Sequence, residues 1–317
     1  MAEQEQSSLR VFLDSDLVHS FKRSPVAIIA TLATLAWFVV AALAPVISPH
    51  CIEPVCLHLM NGLNPPAWTA GGVAEYPLGT DEQGRDILSA IFYASRISLV
   101  VGFAAVGFGM VLGVSLGVIA GYFGGWIDTL IMRLADMQLT FPSILVALLI
   151  AGVVRSVITD LADRGIISGI TFEDVAVFVL IVAIGLSDWP RFARVARGAT
   201  MVELNKGYVA AAKVLGLPSR RIMVVHVLPN LMGPILVIAT IGLALAIISE
   251  ATLSFLGVGV PPTNPSLGTL IRIGNEYLFS GEWWITLFPA LALVTLVLSV
   301  NVIGDWLRDA LNPKLRR

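Results

Sequence analysis

Residues 208–230 read YVAAAKVLGLPSRRIMVVHVLPN. The stretch is polar and basic, and it stands between two hydrophobic runs. Its pattern predicts a short helix over Tyr208 to Leu215, a break at Gly216-Leu217-Pro218, and a second amphipathic piece ending at Leu228-Pro229. Ala210, Ala211 and Ala212 are small enough to let another surface come close. Helical spacing puts Tyr208, Ala211, Ala212 and Leu215 on one face and turns Lys213 elsewhere. Two readings follow. The helix seats in a groove of a soluble partner, or it packs on its own membrane domain.

Working outward, the chain of 317 residues is 56% hydrophobic and only 13% charged. Soluble domains carry about 25% charged residues, so the missing charge marks a membrane protein. A span needs ~20 apolar residues. Six are expected, at about 25–47, 97–120, 134–154, 174–190, 231–252 and 284–304, making an all-α polytopic protein. The first run is too long for the apolar region of a signal peptide and is read as an uncleaved anchor. Four units result: an arm over 1–24, a first helix and outer loop over 25–95, a five-helix core over 96–306 containing the loop 191–230, and a tail over 307–317.

Lys and Arg set the orientation. With the N-terminus inside, fifteen of the twenty fall on the inner side, so both termini and the 191–230 loop are expected to be cytoplasmic. Cys51 and Cys56 then fall in the first outer loop, where a disulfide is permitted in an oxidising compartment. Free thiols are the other main reading. His50 and His58 lie nearby, but spacing this tight is weak support for a metal, and none is expected.

Within the core, Gly109, Gly113, Gly117 and Gly121 recur every four residues and mark a helix-packing seam. Asp136 has Arg133 three residues before it, and Asp188 has Arg191 three residues after it, so both are expected to pair locally. Glu250 has no basic neighbour in sequence. It is a candidate pathway residue near the outer face, able to meet a positive group on a cargo. The Gly- and Pro-rich stretch after the fifth span breaks helix and reads as a structured gate or docking surface. Trp283-Trp284 fit an interfacial belt.

Catalytic signatures are missing. The chain has no phosphate-binding G-x-x-x-x-G-K-[ST] loop, no H-E-x-x-H and no nucleophile elbow. The chain carries no nucleotide or catalytic site of its own, so it does not read as an enzyme, and no cofactor is expected on it. An ion-coupled secondary transporter is one reading, but that class should show paired repeats and broken helices.

The 208–230 segment resembles the "EAA" coupling loop of ABC importer permeases, E-A-A-x3-G-x9-I-x-L-P. Ala211, Ala212, Gly216, Leu228 and Pro229 match, whereas Ala210 replaces the Glu and His226 the Ile. Leu78 to Asp86 (LGTDEQGRD), Ala120 to Asp128 (AGYFGGWID), Leu253 to Gly257 with Pro261-Pro262, and Gly304 to Pro313 resemble further blocks of the dipeptide/oligopeptide branch. Leu267 and Asn312 depart from it. The resemblance covers about residues 20–315 and implies a type I importer permease fold in a bacterial inner membrane. It implies a homologous permease subunit, two cytoplasmic ATPases that bind Mg-ATP, and a periplasmic substrate-binding protein as partners. Membrane lipid surrounds the bundle, and nucleic acid is not expected. The residues carried over to ATPase coupling are Tyr208, Ala210, Ala211, Ala212, Lys213, Leu215, Gly216, Leu228 and Pro229. Nickel, glutathione and other small solutes are also carried within this family.

Overall fold

A computed structural model describes residues 21–50, 59–164 and 172–311. Cys51 and Cys56 lie outside the described residues. Nine helices of eight residues or more organise the described chain, and six helical stretches are long and apolar enough to cross a membrane. The first is α1 (Pro25–Ile47). Ser24 caps it, its hydroxyl accepting the Ala27 N–H at 3.3 Å, and Pro25 occupies the first turn, where its missing N–H costs nothing. Ala27, Ala30, Ala41 and Ala44 face the bundle, while Ile29, Leu32, Leu35 and Leu43 point outward toward lipid.

Helix α2 (Ile87–Phe123) has 37 residues, starting ten before the expected span. At 1.5 Å per residue it is ~55 Å long, against a ~30 Å hydrocarbon core. The early start comes from Asp86, whose carboxylate accepts the N–H groups of Leu88 and Ser89. The next run divides. An amphipathic helix α3 (Gly125–Leu139) ends before Pro142, and the spanning helix α4 (Ser143–Asp163) follows. The third span therefore sits about nine residues later than the hydrophobic run suggested. The charges of α3 keep it out of the apolar layer, and the Thr140-Phe141-Pro142 break separates the two.

Helix α5 (Phe172–Leu204) runs through Pro190 to Leu204. Residues 191–204 are thus helical, and the connection between the fourth and fifth spans is reduced to 205–227. There lie α6 (Gly207–Val214), a helical turn at Ser219–Arg221 and a π-helical stretch at Ile222–Val227. Helix α7 (Leu228–Phe255), the short helix α8 (Leu267–Tyr277) and α9 (Trp284–Leu311) complete the described residues.

The closest packing is between α2 and α5, which run parallel. Gly109, Gly113, Gly117 and Gly121 face the carbonyls of Gly185, Trp189, Ala193 and Arg197 in turn. A Cβ built on Gly109 would lie 2.9 Å from the Gly185 oxygen, and one on Gly121 would lie 2.9 Å from the Arg197 oxygen. No side chain fits there, so the backbones touch. The four-residue period on both helices keeps the contact in register over four turns.

Candidate functional site

The segment 205–230 is built from both sides. Val209 and Ala212 of α6 are buried in an apolar cluster with Val114 and Val118 of α2, Phe192 and Ala196 of α5, and Ile222 and Leu231. A Schellman closure ends the helix: the Gly216 N–H donates to Lys213 O at 3.0 Å and the Leu217 N–H to Ala212 O at 3.2 Å. Gly216 has φ of +72°, which explains the glycine, and Pro218 prevents continuation. Leu228 and Pro229 open α7, with Pro229 in the first turn.

Anchoring by Val209 and Ala212 rotates α6 by about one residue, ~100°, from the face expected. Ala212 points into the chain's own core rather than outward, and the outward face is Ala210, Ala211, Val214 and Leu215. Val214 is 89% exposed and Leu215 77%. Lys213 turns sideways, its Nζ 5.8 Å from the centre of the Tyr122 ring at the end of α2, a cation–π contact.

Tyr208 is not a bare docking residue. Its hydroxyl donates to Glu203 Oε2 at 2.6 Å and approaches His226 O at 3.3 Å, and Asn230 Nδ2 donates to it at 3.2 Å. Asn230 also donates to His226 O at 2.7 Å, while Lys206 holds the other Glu203 oxygen at 2.6 Å. Burial and the Glu203 hydrogen bond push the Tyr208 pKa up to about 12, so its hydroxyl keeps its proton. This network joins the end of α5, α6 and the π-helical stretch into one piece. Sequence reading missed Glu203, although Lys206 three residues on and Tyr208 five residues on were a signal for it.

The opposite end closes around two buried charged groups. Asp81 Oδ2 accepts from Arg85 Nε at 2.6 Å, and Asp81 Oδ1 accepts the N–H groups of Gln83 and Arg85, both at 2.9 Å. Arg85 also donates to Pro262 O at 3.0 Å, binding the loop before α2 to the loop after α7. Trp284 is buried with its Nε1 donating to Thr80 O at 3.2 Å. It is therefore part of this closure rather than an interfacial anchor.

Glu250 is fully buried and does not line an open path. Ser98 of α2 donates to its Oε2 at 2.7 Å and Ser254 to its Oε1 at 2.8 Å. Those hydroxyls in turn accept the N–H groups of Leu267 and Val260, each at 3.3 Å. The acid thus holds the 256–266 loop against α2 and α7. Its lack of a basic neighbour in sequence is answered by hydroxyls brought in by the fold.

Between the two ends, α3 is fastened across α5. Asp128 accepts Arg197 through two bonds of 2.5 and 2.6 Å, and Asp136 accepts Arg194 at 2.7 Å, replacing the expected Arg133 pair. The Asp188–Arg191 pair forms at 3.4 Å. A groove of about 400 Å³, lined by Met110, Val114, Val118, Met223, Met232 and Ile235, opens between α2, the π-helical stretch and α7.

The sequence of this chain was compared with known proteins. A family model described as the binding-protein-dependent transport system inner membrane component matches residues 113–317. The dipeptide transport system permease protein DppC of Haemophilus influenzae is 38% identical, over 94% of this chain and 93% of its own. The di/tripeptide transport system permease protein DppC of Pseudomonas aeruginosa is 39% identical over 80% and 77%, and the Escherichia coli K12 dipeptide permease DppC is 37% identical over 94% and 92%. Among solved structures, an inward-facing MetNI methionine ABC transporter chain superposes with a TM-score of 0.53 at 18% identity, covering 71% of this chain and 98% of that one.

Proposed function

This chain belongs to the family of binding-protein-dependent transport system inner membrane components, and from that premise we propose that it conducts di- or oligopeptides into a bacterial cell. It is a membrane-spanning permease subunit of an ABC importer with the type I fold, and ATP hydrolysis belongs to separate subunits. A self-sufficient ion-coupled carrier is thereby set aside. The peptide assignment rests on relatives named for dipeptide transport that match over more than nine-tenths of both chains, and on one named for di/tripeptide transport that matches over about four-fifths.

The proposed assembly pairs this chain with a homologous permease subunit, two cytoplasmic ATPases carrying Mg-ATP, and a periplasmic substrate-binding protein. The bundle sits in the inner membrane with both termini and the 205–230 segment cytoplasmic, as the distribution of Lys and Arg requires. The observation that carries the coupling role is the outward apolar pair Val214 and Leu215 on a helix whose other face is anchored by Val209 and Ala212. A helix fixed to the bundle and presenting an apolar tip can pass a push from a soluble partner to α5 and α7. Alternating access then follows from a rigid-body switch between two states.

Tagged chain is purified from its native membrane in mild detergent. Two ATPases and a second permease are expected with it, and uptake of labelled dipeptide into proteoliposomes should require ATP and the binding protein. Uptake by the lone chain without ATP would sink the assignment. ATP-driven uptake of a different solute that dipeptides fail to compete would overturn the peptide reading alone.

A further inference from the structure

Pro190 lies inside α5 and has no N–H to give to the carbonyl of Leu186, four residues earlier. That carbonyl is nevertheless satisfied. Gln138 of α3 donates through Nε2 to Leu186 O at 2.6 Å and to Ser187 O at 3.1 Å. The same amide accepts Trp189 Nε1 through its oxygen at 2.9 Å, so both ends of the side chain are engaged around the proline.

Helix α3 also grips α5 beyond the proline, through Asp136–Arg194 and Asp128–Arg197. It therefore straddles the break, holding the carbonyls before Pro190 and the arginines after it. The far half of α5 leads through Glu203 directly to α6 and its exposed tip. Helix α2 packs tightly on α5 at the same level, where Gly113 faces the Trp189 carbonyl, so a bend at Pro190 has to open this part of the glycine seam.

We propose that Gln138 is a positioning residue of the transport cycle, a releasable latch that satisfies α5 at Pro190 in one state and lets α5 bend there as the importer switches. Proline kinks are tolerated where a neighbouring group re-satisfies the freed carbonyl, and here that group sits on a separate helix that can move away. The inference rests on the importer reading and assigns the hinge within it.

The test uses the complete importer in lipid nanodiscs, with MgATP and orthovanadate as probes. Pro190→Ala restores the N–H and removes the need for the latch. It should assemble with a thermal midpoint no lower than wild type, yet its ATPase kcat should fall about tenfold with KM for ATP unchanged. Gln138→Glu keeps the acceptor for Trp189 but loses the donor, and should show a similar fall. In 5-fluorotryptophan-labelled complex, the Trp189 resonance, identified by its loss in Trp189→Phe, should move between nucleotide-free and vanadate-trapped states. That movement should shrink in both variants. Wild-type kcat in Pro190→Ala, or a Trp189 resonance unmoved by trapping in wild type, would overturn the proposal. Failure of the chain to assemble with ATPases at all would instead strike the importer reading.

Discussion

The two ends of this bundle treat their polar and apolar groups in opposite ways. At the end built from residues 76–86, 256–270 and Trp284, charged groups are buried and paired inside the chain: Asp81 with Arg85, Glu250 with two serine hydroxyls. At the 205–230 end, Val214 and Leu215 are left in the open while polar side chains tie the segment down from behind. Burying ions is expensive unless they are paired, and at the first end Asp81 and Arg85 pair within the chain, although Arg85 Nη2 is buried without a hydrogen-bond partner. Val214 and Leu215 have no cover within the chain, which is what the proposed docking of a soluble partner requires.

The largest effect is expected at the self-contained end. Asp81→Ala strands Arg85 in a buried site and orphans two N–H groups, costing ~3–5 kcal/mol. The check is folded yield and thermal midpoint in detergent. Replacing both partners, as Asp81→Leu with Arg85→Met, should recover part of the loss. If the single variant is as stable as wild type, the contrast between the ends fails.

At the other end, Val214→Asp with Leu215→Asp should leave the midpoint unchanged, since both side chains are already solvated. ATPase capture should weaken ~30–100-fold, a loss of ~2–3 kcal/mol of interface energy. Capture at wild-type affinity would show that this tip faces something other than the motor.

Tyr208→Phe sharpens the distinction between docking and relaying. It removes the hydroxyl that joins Glu203, His226 and Asn230, a change of ~1 kcal/mol. Assembly should persist, and ATP-driven uptake should fall a few-fold. A raised phenol pKa contributes below the ordinary value near 10 and is lost only as pH climbs through about 12. The ratio of wild-type to Tyr208→Phe uptake should therefore be flat from pH 6 to 9.

The smallest effect concerns Glu82 beside the Asp81 pair. Burial, and then the Asp81 charge, push its pKa up. Its ionised form is thus disfavoured by the fold, and it costs stability once pH rises above the ordinary carboxylate range. Glu82→Gln should raise the thermal midpoint slightly at pH 7, and the gain should vanish near pH 4. A gain that persists at pH 4 would assign the effect to packing instead.

Much of this was legible along the chain. Long apolar runs give the six crossings because no water is available to the backbone in lipid, and the four-residue glycine period from Gly109 to Gly121 names a helix contact before any partner helix is known. Gly216 and Pro218 mark the end of α6 because one tolerates positive φ and the other cannot donate. Hydropathy, however, gave the wrong start for the third span. It counts apolar residues, whereas the break at Thr140-Phe141-Pro142 and the Asp–Arg contacts of α3 decide where the helix lies.

The sequence by itself determined the class of molecule, the number of crossings and the short helix that stops at Gly216, since these follow from short-range composition and spacing. Tertiary structure alone decided which face of α6 is free, why Glu250 is tolerated, and that Gln138 closes the gap left by Pro190. Those depend on groups brought together from 48 to 152 residues apart, as Gln138 with Leu186 and Ser98 with Glu250. A hydrogen bond has a range of about 3 Å, and only the folded chain brings such groups within it.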